Sequence, residues 1–140
     1  MKPVIALCIG GLLWGSGVAA MAADPVAAAA TESSVPLITQ ADLLERLQKK
    51  DPSMVVLDVR TPEEFAAGHV PGAMNIAHDE LPAKLAQLSA HKDKEVVLYC
   101  RSGRRSQIAL GTLRSAGFNQ LRHLEGDYLA WEAEKRPIEK

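Results

Sequence analysis

The chain has 140 residues, 47% of them hydrophobic and 4% aromatic, with a formal net charge of −1 at pH 7. That length suits one compact domain, and the balanced charge excludes an electrostatic case for nucleic acid or an anionic membrane as partner. Two cysteines, Cys8 and Cys100, and four histidines, His69, His78, His91 and His123, show no metal-ligand spacing, so no metal site is expected.

Lys2, the apolar run over residues 4–18 and the small-residue site Ala20-Met21-Ala22 read as a secretory signal peptide covering residues 1–22. The run is short for a membrane span, so cleavage is expected, leaving a periplasmic protein with no stable membrane association. Cys8 leaves with the peptide. The mature chain then carries one thiol, Cys100, in an oxidising compartment, and that thiol calls for a functional explanation. Residues 23–35, Ala-rich and then Thr-Glu-Ser-Ser, read as a flexible linker. The folded domain is expected over residues 36–140, as a monomer.

Leu37-Ile38 is a short first strand. Thr39 caps a helix with Leu43, Leu44 and Leu47 inward, broken by Asp51-Pro52. Residues 54–59 form a nearly continuous apolar run that suits a central parallel strand covered on both faces. Thr61, Pro62 and the acids after them start a short helix that Gly68 ends. A turn over residues 69–72 precedes a strand over 73–77, and residues 79–88 read as a helix with Leu81, Leu85 and Leu88 inward. Residues 95–99 are a buried strand. Ile108, Leu110, Leu113 and Ala116 give the next helix, capped by Ser106 and stopped near Gly117. A strand over residues 119–124 and a helix after Gly126, with Tyr128, Leu129 and Trp131, close the domain. Trp131 is read as core or as a wall of the site.

Strands and helices alternate five times. The expected fold is α/β, a single domain with a five-stranded, mainly parallel sheet and helices on both faces. Sites in such sheets lie at the carboxyl ends of the strands. Asp58, Cys100 and Gly126 each follow or end a strand, so they converge on one edge. The loop Cys100-Arg101-Ser102-Gly103-Arg104-Arg105-Ser106 joins a strand to a helix N-terminus and holds three arginines and no acid. Its backbone N–H groups and the helix dipole can face one anion and favour a thiolate. Such a short loop is expected to leave the sulfur at the surface.

The segment Leu57-Asp58-Val59-Arg60-Thr61-Pro62-Glu63-Glu64-Phe65, then Gly68-His69-Val70-Pro71-Gly72-Ala73-Met74-Asn75-Ile76, resembles the N-terminal signature of rhodanese-like sulfurtransferase domains. Leu124-Glu125-Gly126-Asp127-Tyr128-Leu129-Ala130-Trp131 resembles their C-terminal signature, and the loop from Cys100 to Arg105 their active-site loop. The likeness spans residues 36–136 and is closest to small exported, phage-shock-type thiosulfate sulfurtransferases.

The resemblance implies sulfur transfer from thiosulfate through a Cys100 persulfide to cyanide or a thiol, releasing sulfite, with no cofactor beyond the persulfide. It implies that Arg105 binds thiosulfate, with Arg101 and Arg104 as weaker anion contacts. Gly103 curls the loop, Ser102 donates to sulfur and Ser106 caps the helix. Asp58 supports the loop, Arg60 and Glu64 pair across the short helix, His69 packs and hydrogen-bonds, and Gly126 starts the last helix. His123 has only a surface or strand reading. Asp127 stands where the family often has glycine, placing an acid near the loop edge, where it could trim anion affinity. Two other readings stay open: a persulfide carrier or protein-binding module with little turnover, and a phosphatase or arsenate reductase. The loops of the latter resemble Cys-x5-Arg, one residue longer than the Cys100–Arg105 spacing.

Overall fold

The computed structural model describes residues 35–140; the signal-peptide reading and nearly all of the linker reading lie outside them. In chain order the elements are β1 (Leu37–Ile38), α1 (Gln40–Gln48), β2 (Met54–Asp58), α2 (Pro62–Ala67), β3 (Met74–Asn75), α3 (Leu81–Lys84), a 3₁₀ segment (Leu85–His91), β4 (Glu95–Tyr99), α4 (Arg104–Ser115), β5 (Leu121–Leu124) and α5 (Asp127–Ala133). The sheet order is β1-β5-β4-β2-β3 and every pairing is parallel. All five carboxyl ends therefore share one edge. Register fixes what meets there: Asp58 lies opposite Tyr99, and Leu98 opposite His123.

The period-2 alternation of β4 builds both layers. Val96, Leu98 and Cys100 face one apolar cluster with Leu110 and Leu113 of α4, while Val97 and Tyr99 face the other with Leu43, Tyr128 and Trp131. Helices thus cover both faces, as buried central strands require. Among the described residues no helix is long and apolar enough to cross a membrane.

Local chemistry explains the helix starts. The Thr39 side chain accepts from the Asp42 N–H at 3.0 Å. Thr61 and Glu64 form a reciprocal capping box ahead of Pro62. Several expectations differ, among them the strand over 119–124, which begins only at Leu121. The helix over 79–88 is an α-turn that tightens into a 3₁₀ segment, whose three-residue repeat stacks Leu85 over Leu88 on the core. The strand over 73–77 shrinks to Met74–Asn75 at the sheet edge, where the Asn75 amide donates to the carbonyls of Asp58 and Arg60. Ile108 faces solvent at 52% exposure, because Ala109, Leu110 and Leu113 already form the inward stripe.

Candidate active site

Cys100 follows β4 directly, and Gly103 turns the chain into α4 with φ of 111°. That backbone region favours glycine, and a Cβ there would stand 3.0 Å from Asp127 Oδ2. The turn aims the Gly103 N–H at Cys100 Sγ, 2.9 Å away. Cys100 is buried at 1% exposure, contrary to the expected surface sulfur. The alternation of β4 carries one residue past the strand and directs the side chain into the α4 cluster. Ser102 is exposed, so the hydrogen bond to sulfur comes from a backbone amide and not from its hydroxyl.

Ser106 does not cap α4. Gly103 starts the helix three residues earlier, and Ser106, fully buried in the first turn, turns its hydroxyl to Asp127 Oδ1 at 3.2 Å. Helix α5 begins without a side-chain cap after Gly126. Its free first-turn amides are satisfied by the loop instead: Tyr128 N–H donates to the Cys100 carbonyl at 3.0 Å, and Leu129 N–H to that of Arg101 at 3.1 Å. At Gly126, with φ of 76°, a Cβ would meet that of Ala130 in the first turn of α5 at 2.5 Å, so glycine is what lets the chain enter the helix this way.

Asp58 and Arg60 form a buried ion pair at 2.6 Å, in which the guanidinium also donates to the Gly68 carbonyl at 2.8 Å. Tyr99 Oη donates to Asp58 Oδ2 at 2.8 Å and accepts the Val70 N–H at 3.0 Å. Burial, reinforced by the Asp58 charge, pushes the Tyr99 phenol well above its ordinary value and keeps it a donor. The Arg60 guanidinium lies 4.0 Å from the Tyr128 ring centroid, which ties this pair to α5. Asp58 is thus linked to α5 through Arg60 and Tyr128.

The expected Arg60–Glu64 pair does not form, because Asp58 already holds Arg60. Glu64 takes Arg105 instead, in a two-pronged bond of 2.7 and 3.0 Å. That hydrogen bond, together with the Thr61 contacts, lowers the Glu64 carboxyl to about 2. Arg105, half-buried, is therefore engaged by Glu64. Arg101 and Arg104 are exposed.

Asp127 is the residue whose place in the site the sequence conceals. It does not sit at the loop edge but beneath the loop, at 2% exposure and with φ of 53°. Its carboxylate accepts the Cys100 N–H at 3.0 Å, the Ser106 hydroxyl at 3.2 Å and a ring N–H of His123 at 3.0 and 3.1 Å. His123, read as surface or strand, comes from the end of β5. Gln40 of α1 fastens the same turn from behind, donating to the carbonyls of Glu125 and Asp127 at 2.5 and 3.2 Å. A sequence signal existed in the acid that replaces the expected glycine; its histidine partner lies across a strand end that spacing does not reveal.

His69 packs its ring on Phe65 with centroids 3.6 Å apart, and Nδ1 meets the Phe65 carbonyl at 2.9 Å. It touches neither the loop nor the sulfur. Trp131 is core, fully buried, with Nε1 donating to the Pro137 carbonyl at 2.7 Å. A shallow cavity of about 270 Å³ opens beside the loop, lined by Arg60, Glu64, Arg101, Tyr128 and Glu132 among others. A larger one of about 490 Å³ surrounds Met54 and Val55, at the opposite ends of the strands, and has no nucleophile. Among the described residues no group of three or more His, Cys, Asp or Glu side chains is placed to hold a metal ion.

Fold and site together define an α/β domain that holds one buried cysteine, met by the Gly103 N–H, on a loop at the carboxyl edge of a parallel sheet. The chain belongs to the rhodanese-like domain family, whose model matches residues 39–134. It is 35% identical over 101 residues to a protein of Allochromatium vinosum named as a sulfurtransferase, covering 72% of this chain and 92% of that one. Identity to a Bacillus subtilis protein named "Putative sulfurtransferase YtwF" is 39% over 100 residues, covering 71% of this chain and 93% of that one. A crystal structure of a rhodanese-related protein from Thermoplasma volcanium superposes with a TM-score of 0.64 at 32% identity, covering 74% of this chain and 97% of that one.

Proposed function

We propose that the protein is a thiosulfate sulfurtransferase working through a persulfide on Cys100. The observation that carries this reading is the Gly103 N–H held 2.9 Å from Cys100 Sγ at the head of α4. An amide in that place stabilises charge on the thiolate and on the persulfide that replaces it. The Cys100 thiolate bonds to the outer sulfur of thiosulfate, the sulfur–sulfur bond of the donor breaks, and the electron pair leaves with sulfite. Cyanide or a thiol then attacks the outer persulfide sulfur and regenerates the thiolate, a two-step covalent scheme. Arg105, Arg101 and Arg104 supply cations for the donor, with Arg105 turning part of its fork from Glu64 to the anion. The exported, periplasmic and monomeric state expected from the sequence belongs to the same proposal.

Single-turnover chemistry tests it. Reduced protein mixed with thiosulfate and no acceptor should release one equivalent of sulfite per chain, and later cyanide should yield one equivalent of thiocyanate. An intact thiol that releases no sulfite would refute the reading and leave the protein-binding module ahead. Turnover of aryl phosphates at a comparable rate would instead favour the phosphatase reading, which the four-residue spacing between Cys100 and Arg105 disfavours.

A further inference from the structure

The cavity of about 270 Å³ beside the loop is built by helical spacing. Glu64 and Ala67, with Gly68 after them, fall at i, i+3 and i+4 at the end of α2, and Tyr128 and Glu132 fall at i and i+4 on α5. Gly68 keeps the space between them open, since a Cβ there would stand 2.8 Å from Tyr128 Oη. Both helices are tied to the nucleophile loop. The N–H groups of Tyr128 and Leu129 hold the carbonyls of Cys100 and Arg101, and Glu64 holds Arg105. Arg101, the residue after the nucleophile, lines the cavity as well.

The polar groups of this cavity are not all engaged. Arg60 is held by Asp58, and Glu64 by Arg105. Among the described residues the side chains of Arg101 and Glu132 enter no hydrogen bond or ion pair, although they are of opposite charge and line the same space. Tyr128 is 5% exposed, and its hydroxyl has no hydrogen-bond partner among the described residues. Buried hydroxyls are nearly always paired, so an open one in a cavity wall marks a place for a ligand. Burial, and then the Glu132 charge, raise this phenol above its ordinary value and keep it a donor. The cavity thus offers a cation, a neutral donor and an anion. It is also smaller than the roughly 300–1,000 Å³ of sites for drug-sized ligands. A simple anion would meet Glu132 and a simple cation would meet Arg101; a small ligand carrying both signs escapes both conflicts.

We propose that this cavity is the site of the sulfur acceptor and takes a zwitterionic amino-acid thiol such as cysteine, its carboxylate on Arg101 and Tyr128 Oη and its ammonium on Glu132. The proposal rests on the sulfur-transfer reading above. Thiosulfate carries only negative charge and gains nothing from Glu132, so the zwitterion belongs to the second step. There the acceptor thiolate, its proton lost to water, bonds to the outer persulfide sulfur, which stands one bond of about 2 Å beyond Cys100 Sγ. The bond from that sulfur to Sγ breaks, its electron pair stays on Sγ and restores the thiolate, and the amino acid leaves as a persulfide.

The test isolates this step. Protein loaded from thiosulfate and freed of excess donor is mixed with cysteine, cysteamine, 3-mercaptopropionate or 2-mercaptoethanol, which carry both charges, the ammonium alone, the carboxylate alone and neither. The second-order rate at which the added sulfur is lost is read by intact mass, and each rate is divided by that for 2-mercaptoethanol. Glu132→Gln should lower the relative rates of cysteine and cysteamine about tenfold and spare 3-mercaptopropionate, whereas Arg101→Gln should lower those of cysteine and 3-mercaptopropionate about tenfold and spare cysteamine. Both side chains are exposed, so neither change threatens the fold. Glu132 has no part in donor binding, so its variant decides the matter alone if Arg101→Gln loads slowly. Relative rates that stay the same in both variants, or that fall alike for all three charged acceptors, overturn the acceptor site and leave sulfur transfer standing. A wild-type thiol that never takes sulfur from thiosulfate overturns both.

Discussion

Two carboxylates flank the nucleophile loop, and they are held in opposite ways. Glu64 stands outside it, 31% exposed, locked to a guanidinium and to its own helix cap. Asp127 stands inside it, buried, held by one backbone amide, one hydroxyl and one imidazole. The outer carboxylate can let go of its arginine, because both side chains are partly exposed and water can replace each partner. The inner one cannot, because every group it touches is part of the sheet edge or of the loop itself. The outer pair can exchange its partners with solvent, and the inner cluster fixes the loop's geometry.

The buried Asp58–Arg60 pair marks the fixed extreme. Arg60→Ala leaves Asp58 charged in the core with only Tyr99 Oη and the neighbouring amide as donors, and should cost about 3–5 kcal/mol of stability by urea unfolding. A loss below about 1 kcal/mol would show that water enters this edge and that the inner and outer regions are alike.

At the exchangeable extreme, Arg105→Ala should weaken use of thiosulfate by about 1.5–3 kcal/mol, the worth of a charged hydrogen bond, chiefly through KM. Normal kinetics in that variant would assign the anion contact to Arg101 and Arg104.

The smallest effect expected is in stability. The Glu64 carboxyl, lowered from 4.5 to about 2 chiefly by Arg105, contributes stability that is full above the unfolded value of 4.5 and is lost as pH falls toward 2. Both side chains are partly solvated, so the contribution is at most about 1 kcal/mol. Denaturant midpoints of wild type and Glu64→Gln should therefore differ at pH 6 and converge near pH 2. A gap that persists at pH 2 would mean that packing, and not charge, ties Glu64 to the loop.

What could be read from the sequence divides along the same line. Val96 to Tyr99, the Thr61 capping box and the Cys100–Arg105 spacing declare themselves, because strand alternation, caps and loop length are local. The pairing of Glu64 with Arg105, across 41 residues, is not local: it follows from Asp58 taking Arg60 first. The burial of Cys100 follows from alternation running past the strand end. Ser106 resembles a cap in sequence, yet Gly103 reaches the left-handed region sooner and frees the hydroxyl for Asp127. Asp127 and His123, four residues apart, meet because the turn through Gly126 brings the end of β5 back to the start of α5.

Whether Cys100 carries sulfur is read most directly from the intact mass of the protein. After incubation with thiosulfate and removal of excess donor, the chain should be heavier by one sulfur atom and return to its starting mass on adding cyanide, while Cys100→Ser never gains it. A wild-type chain with its thiol free that stays at its starting mass would contradict the account, as would a Cys100→Ser chain that takes up the sulfur.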